Sequence, residues 1–146
     1  NDMEVVILGG SKIIQDLKLK FKFHFIPKLT DDFSLSLCYS SVDLVVLPSR
    51  MENLPNMATE AQSCGTPVVA FNVTGMSECV SHKKTGYLAK PYLFDDLARG
   101  IEWVIDKNQS LKLSEEARKK AVDLWNKNSV AQKYFDLYKN ILEKNH

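Results

Sequence analysis

The stretch DLVVLPSRMENLPNMATEAQSCGTPVVAF, Asp43 to Phe71, reads as a strand, a turn, a helix and a second strand. DLVVL (43–47) and PVVAF (67–71) are apolar without alternation and rich in β-branched residues. Such runs suit strands covered on both faces, as parallel strands are. A spacing of ~20 residues leaves room for the crossover helix that parallel pairing needs. Asn56 to Cys64 supplies that helix. Pro55 is expected at its first position, where a missing N–H costs nothing and φ is preset.

The same alternation continues in both directions. EVVIL (4–8) ends at Gly9-Gly10, KFHFI (22–26) ends at Pro27, and GYLA (86–89) is a weaker fifth strand. Residues 11–19 form a short helical candidate, and Asp31 or Asp32 can cap FSLSLCYSS. SECVSH reads as a short helix that KKTG stops. LFDDLARGIEWVIDKN (93–108) places Leu93, Leu97, Ile101, Val104 and Ile105 on one stripe with the 3.6-residue period of an amphipathic helix. Another helix opens near Ser114 and runs to about Asn126. Ser129 is then expected to cap VAQKYFDLYKNILEK, whose Val130, Tyr134, Leu137, Tyr138 and Ile141 share a face. The pattern predicts a single α/β domain over residues 1–146: a Rossmann-like parallel sheet flanked by helices, with extra helices at the C-terminus.

Composition narrows the functional classes. The 19 basic and 18 acidic side chains give a net charge of +1, so nucleic acid, which calls for a strongly basic face, is not an expected partner. Cys38, Cys64 and Cys79 are odd in number, far apart and without a CxxC pair, which points to reduced thiols and a cytoplasmic setting. No apolar run approaches the ~20 residues of a membrane span, and no signal peptide is visible. The opening NDMEVVILGG enters a strand almost at once without an initiator methionine, as expected of a piece of a longer protein.

Ligands of open parallel sheets bind beyond the carboxyl ends of the strands. Two turns are expected there, Pro48–Asn56 and Asn72–Glu78. With a helix starting at Pro55, the amides of Asn53, Leu54, Asn56 and Met57 lack intrahelical acceptors, and with the helix dipole they make a site for phosphate. Glu60 can flank that N-terminus and accept hydrogen bonds from vicinal hydroxyls, as carboxylates do from ribose. Glu52, before the bend, would face whatever the phosphate carries. The spacing suits a phosphorylated sugar or nucleotide. It also admits the commoner roles of a helix-dipole partner for Glu52 and a solvated carboxylate for Glu60.

The ordered set Asp43, Pro48, Ser49, Glu52, Leu54, Pro55, Glu60, Ala61, Gly65, Pro67, Val68, Val69, Ala70, Gly75, Glu78, Gly86 and Leu88 resembles the donor-binding half of GT-B glycosyltransferases. The likeness is to the retaining group called family 4, with its E-x7-E enclosing a Leu-Pro, over about residues 43–105. The ENLPN variant resembles members that assemble capsule, lipopolysaccharide and exopolysaccharide. The resemblance implies that Glu52 contacts donor-sugar hydroxyls beside the transferred carbon. It implies that Asn53, Leu54 and Pro55 hold the sugar and distal phosphate, and that Glu60 binds the nucleotide ribose. Pro27, Lys28 and Leu29 would lie against the base. The implied substrate is a nucleotide-sugar such as a UDP- or GDP-sugar. The acceptor is a glycan or lipid-linked molecule held mainly by a missing N-terminal domain, at the inner face of the cytoplasmic membrane or in the cytoplasm.

The family's Arg and Lys that grip the diphosphate would lie upstream of Asn1, and Lys12 reads more simply as a solvated lysine. No Asp-x-Asp triad appears; Asp31-Asp32 and Asp95-Asp96 suit caps, and neither metal nor other cofactor is expected. His24 is expected to flank the core, His82 to mark a helix end, and Trp103 and Trp125 to pack on the sheet. Lys83-Lys84 reads as a solvated turn. Tyr134, Phe135 and Tyr138 are expected in the core. An isolated domain of this kind should bind nucleotide but transfer little. A non-catalytic nucleotide-sugar-binding module would carry the same residues, as would a GT-B epimerase or phosphorylase, although the Leu-Pro between the glutamates weakens the epimerase reading.

Overall fold

The computed structural model describes residues 3–9 and 21–144, with backbone alone over 107–110. The helix expected at 11–19, and Lys12 with it, lie outside the described residues. The chain runs β1 (Glu4–Leu8), β2 (Lys22–Ile26), α1 (Asp32–Ser40), β3 (Val45–Leu47), α2 (Asn56–Ser63), β4 (Val68–Phe71), α3 (Met76–Cys79), β5 (Gly86–Ala89), α4 (Phe94–Ile105), α5 (Lys107–Trp125) and α6 (Lys127–Lys144). All strand pairing among these elements is parallel. β1 pairs with β2, from Glu4 opposite Lys22 to Leu8 opposite Ile26. β4 lies between β3 and β5, with Val46 opposite Val69 and Val69 opposite Tyr87.

The unbroken apolar run of β4 is explained by its two covered faces. Val68 and Ala70 join Tyr39, Leu47, Ala58, Ala61, Met76, Cys79 and Val80 under α1, α2 and α3. Val69 and Phe71 join Ala89, Leu97, Val104 and Leu113 under α4 and α5. An alternating polar residue in β4 would therefore be buried without a partner, which costs free energy on either side.

The helix boundaries follow local chemistry. Asp31 caps α1, its Oδ1 accepting from the Ser34 amide at 2.8 Å; that hydrogen bond holds its carboxyl below the usual carboxylate range. α2 ends in a Schellman motif: the Gly65 amide donates to Gln62 O and the Thr66 amide to Ala61 O, at 3.0 and 2.9 Å. Gly65 carries φ +79°, the left-handed conformation this motif needs. Asp96 anchors the start of α4, accepting from the Lys90 amide at 2.7 Å and from Tyr87 Oη and Arg99. Asn126, rather than Ser129, caps α6, its Oδ1 accepting from the amides of Asn128 and Ser129.

Three expectations are corrected here. Tyr134, Phe135 and Tyr138 are 57%, 63% and 61% exposed, and no α6 side chain is buried. α6 packs chiefly on α5, so its apolar face has no sheet to cover. His24 is an exposed partner of Glu4, Nε2 to Oε2 2.5 Å, on a strand pair that also carries the Lys22–Glu4 pair. His82 is not a cation at a helix end. Its Nδ1 accepts from the Leu88 amide at 3.0 Å beside β5, and burial with the nearby Lys83 charge pushes its pKa below the usual histidine range. Trp103 does pack on the sheet, 6.0 Å from the Tyr87 ring. Trp125 meets the α1–α3 side of the core, with Lys120 Nζ 5.8 Å from its ring. The three cysteines are free thiols, Cys79 fully buried.

Candidate functional site

The carboxyl ends of β3 and β4 lead into the two turns singled out above, and the structure fastens them together. The Gly75 amide donates to Glu52 O at 3.1 Å. The Glu52 amide donates to Thr74 Oγ1 at 3.0 Å, and the same hydroxyl faces Glu52 O. Thr74 sits at φ +36°, a left-handed conformation that a β-branched residue adopts only at a cost. Gly75 admits no side chain: an ideal Cβ there would lie 1.3 Å from Asn53 O. The glycine is required by this close approach of two backbones.

The start of the first turn is held from the other side. Tyr92 Oη donates to Arg50 O at 3.1 Å, and the Arg50 guanidinium lies 5.5 Å from the Tyr92 ring centroid. Tyr92 itself leans on Phe71 at the end of β4, ring centroids 6.2 Å apart. The segment from Arg50 to Asn53 is thus fixed at both ends by groups far away in sequence.

Pro55 is buried and is the N-cap of α2, one position before the expected N1, with φ −69° and ψ 113°. The difference is physical: its carbonyl accepts from the amides of Ala58 and Thr59, so the first helical turn closes on Pro55 rather than beyond it. Its side chain offers no capping oxygen. The amides of Asn53, Leu54, Asn56 and Met57 have no acceptor among the described residues. They therefore remain a cluster of donors at a helix N-terminus, where the dipole favours an anion. No acidic side chain occupies the first turn of α2 to compete for them.

Glu60 lies just over one turn into α2 with its carboxylate exposed, and Glu52 is half-buried beside the Thr74–Gly75 clasp. Tyr39, at the end of α1 and 4% exposed, donates its hydroxyl to Glu60 Oε2 at 2.9 Å. Sequence reasoning missed Tyr39; its only signal was an aromatic residue in the last turn of a helix preceding β3. It also missed Thr74 and Tyr92, whose roles come from contacts across 22 and 42 residues. Pro27, Lys28 and Leu29 follow the carboxyl end of β2 and lead into α1. Among the described residues no hydrogen bond or ion pair ties them to the 52–60 segment. A cleft of about 450 Å³ lies elsewhere, lined in part by Tyr87, Arg99 and Trp103.

Parallel strands flanked by helices, with β4 covered on both faces, define a doubly wound α/β domain, a fold whose ligands bind beyond the carboxyl ends of the strands. The chain matches the family "Glycosyl transferases group 1" over residues 1–121 and belongs to it. It is 37% identical over 120 residues to a D-inositol 3-phosphate glycosyltransferase of Paenarthrobacter aurescens, covering 75% of this chain and 29% of that protein. Sucrose-phosphate synthase from Thermosynechococcus elongatus superposes with TM-score 0.82 at 27% identity, over 95% of this chain and 38% of the other. Anabaena HepE in complex with UDP-glucose superposes with TM-score 0.74 at 26% identity, over 87% of this chain and 35% of the other. The chain spans well under half the length of each of these relatives. The expected GT-B type of fold is thereby found, and the chain is a glycosyltransferase domain.

Proposed function

We propose that this chain is the donor-binding half of a retaining, family-4 glycosyltransferase. It moves a hexose from a nucleotide-sugar to a glycan or lipid-linked acceptor during capsule, lipopolysaccharide or exopolysaccharide assembly. The observation that carries the reading is the clasp between Glu52 and Thr74–Gly75. It holds the bend between Glu52 and Glu60, where the amides of Asn53, Leu54, Asn56 and Met57 have no acceptor among the described residues. The solved HepE complexes with UDP and UDP-glucose support a nucleotide-sugar as the ligand.

In this reading the amides take the diphosphate, without a metal. Glu60 accepts from the ribose hydroxyls, and Glu52 accepts from sugar hydroxyls beside the transferred carbon. Pro27–Leu29 face the base through their backbone. The glutamates are not an acid and nucleophile pair of the glycosidase kind. Amides and dipole stabilise the leaving diphosphate, and a phosphate oxygen takes the acceptor's proton.

The topology supports a longer protein. In a doubly wound sheet the chain starts in the middle, steps outward, then returns past the first strand to build the other half. β1–β2 and β3–β4–β5 match those two halves, and a parallel strand from an upstream segment would join them. The acceptor site belongs to a further domain, so this chain alone should bind nucleotide and transfer little. The enzyme works in the cytoplasm, or peripherally at the inner face of the membrane; among the described residues no helix is long and apolar enough to cross one.

Calorimetry with UDP and GDP tests the site. Glu60→Ala is expected to weaken binding of the preferred nucleotide about 10-fold or more, the scale of charged hydrogen bonds to two hydroxyls. Unchanged affinity, or no binding of either nucleotide at millimolar concentration, would refute the ribose assignment.

A further inference from the structure

Glu60 presents a problem that its place on the helix does not solve. An exposed glutamate has three rotatable side-chain bonds, and holding it in one conformation on binding costs entropy that weakens affinity. A carboxylate meant to meet two vicinal hydroxyls must face them before they arrive.

One buried side chain addresses this. Tyr39 is anchored at both ends: its backbone carbonyl accepts from the buried Thr66 Oγ1 at 2.7 Å, and its ring is packed with Leu47, Ala58 and Ala61. Its hydroxyl reaches Glu60 Oε2 at 2.9 Å, and among the described residues it is the one side chain that hydrogen-bonds this carboxylate. Burial and the neighbouring carboxylate push the phenol's pKa up, so the hydroxyl stays protonated and donates. No cation pairs with Glu60 among the described residues to compete for its oxygens.

We propose that Tyr39 is a positioning residue for donor binding: it pins one oxygen of Glu60 and leaves the other, with the remaining lone pairs, directed at the ligand's vicinal hydroxyls. The proposal rests on the reading of Glu60 as the ribose-binding carboxylate. A device of this kind acts only on ligands that carry the hydroxyls. It contributes nothing to the phosphates, which the α2 amides take, or to the base.

That selectivity separates positioning from mere structural support. The complete protein carrying this chain is titrated with UDP, GDP and their 2′,3′-dideoxy analogues, as wild type, Tyr39→Phe, Glu60→Ala and the double variant. Tyr39→Phe keeps the ring and its packing and removes one oxygen. It is expected to weaken the preferred nucleotide about 3- to 10-fold, to leave its dideoxy analogue unchanged, and to add nothing in the Glu60→Ala background. Equal weakening of both ligands means that Tyr39 only supports the fold, and this overturns the proposal, as does unaltered binding of both. A different pattern marks failure of the underlying reading: wild type and Glu60→Ala then bind the nucleotide and its dideoxy analogue alike, and the Tyr39 proposal falls with it.

Discussion

Glu52→Ala is expected to leave free nucleotide affinity unchanged and to lower turnover by the complete enzyme about 10²-fold, the usual loss when one electrostatic contact to the transition state is removed. The asymmetry follows from where the backbone puts the residue. Glu52 is half-buried before the bend, its amide on Thr74 Oγ1 and its carbonyl on the Gly75 amide. Those hydrogen bonds involve the main chain and survive the substitution, so the amides of Asn53 and Leu54 keep their places. What is lost, on the proposed reading, is the carboxylate on the sugar side of the phosphate site. Affinity for the intact donor should fall while affinity for the nucleotide does not. Steady-state kinetics of the variant, with calorimetry on donor and nucleotide, reads both quantities. Normal turnover would remove Glu52 from the mechanism.

Gly75→Ala should do more damage by a different route. The added Cβ would sit 1.3 Å from Asn53 O and 2.5 Å from Asn53 C, both backbone atoms. No side-chain rotation relieves such a contact. The bend must move away from the β4 turn and lose the Gly75–Glu52 hydrogen bond. Overpacking of this kind costs on the order of 2–3 kcal/mol, which corresponds to a fall in Tm of roughly 5–10 °C. Because the displaced atoms belong to Asn53, binding of nucleotide and of donor should weaken together, in contrast to Glu52→Ala. Thermal unfolding and the same titrations check this; wild-type values for both would show that the two turns do not need their close approach.

Much of this was readable before any coordinates. The unbroken apolar runs VVL and VVAF announced strands covered on both faces, and β4 lies between two core clusters. A helix from Asn56 to Cys64 was legible because Pro55 precedes it, although Pro55 closes the first turn from the N-cap position and the helix ends at Ser63. Other features left no local signature. The clasp pairs Glu52 with Thr74, and the loop anchor pairs Arg50 with Tyr92; nothing in either stretch alone reveals its partner. His82 read as a helix-end cation because the short α3 precedes it, whereas its acceptor role depends on Leu88 returning along β5. The stripe Tyr134, Tyr138 and Ile141 has the period of a buried face, and periodicity tells which side of a helix is apolar without telling what covers it.

The placement of the donor is open to direct observation by hydrogen–deuterium exchange of the complete protein, with and without saturating UDP- or GDP-sugar. Amides without acceptors exchange freely, and a bound diphosphate that takes their hydrogens slows them. Protection should concentrate in peptides spanning residues 51–60, at Asn53, Leu54, Asn56 and Met57. Nucleotide alone carries the diphosphate and should protect these four amides. The full donor should extend protection to Glu52 and the adjoining Thr74–Gly75 turn. Saturation of the protein by donor with exchange at residues 51–60 unaltered would place the ligand elsewhere and contradict this account of the site.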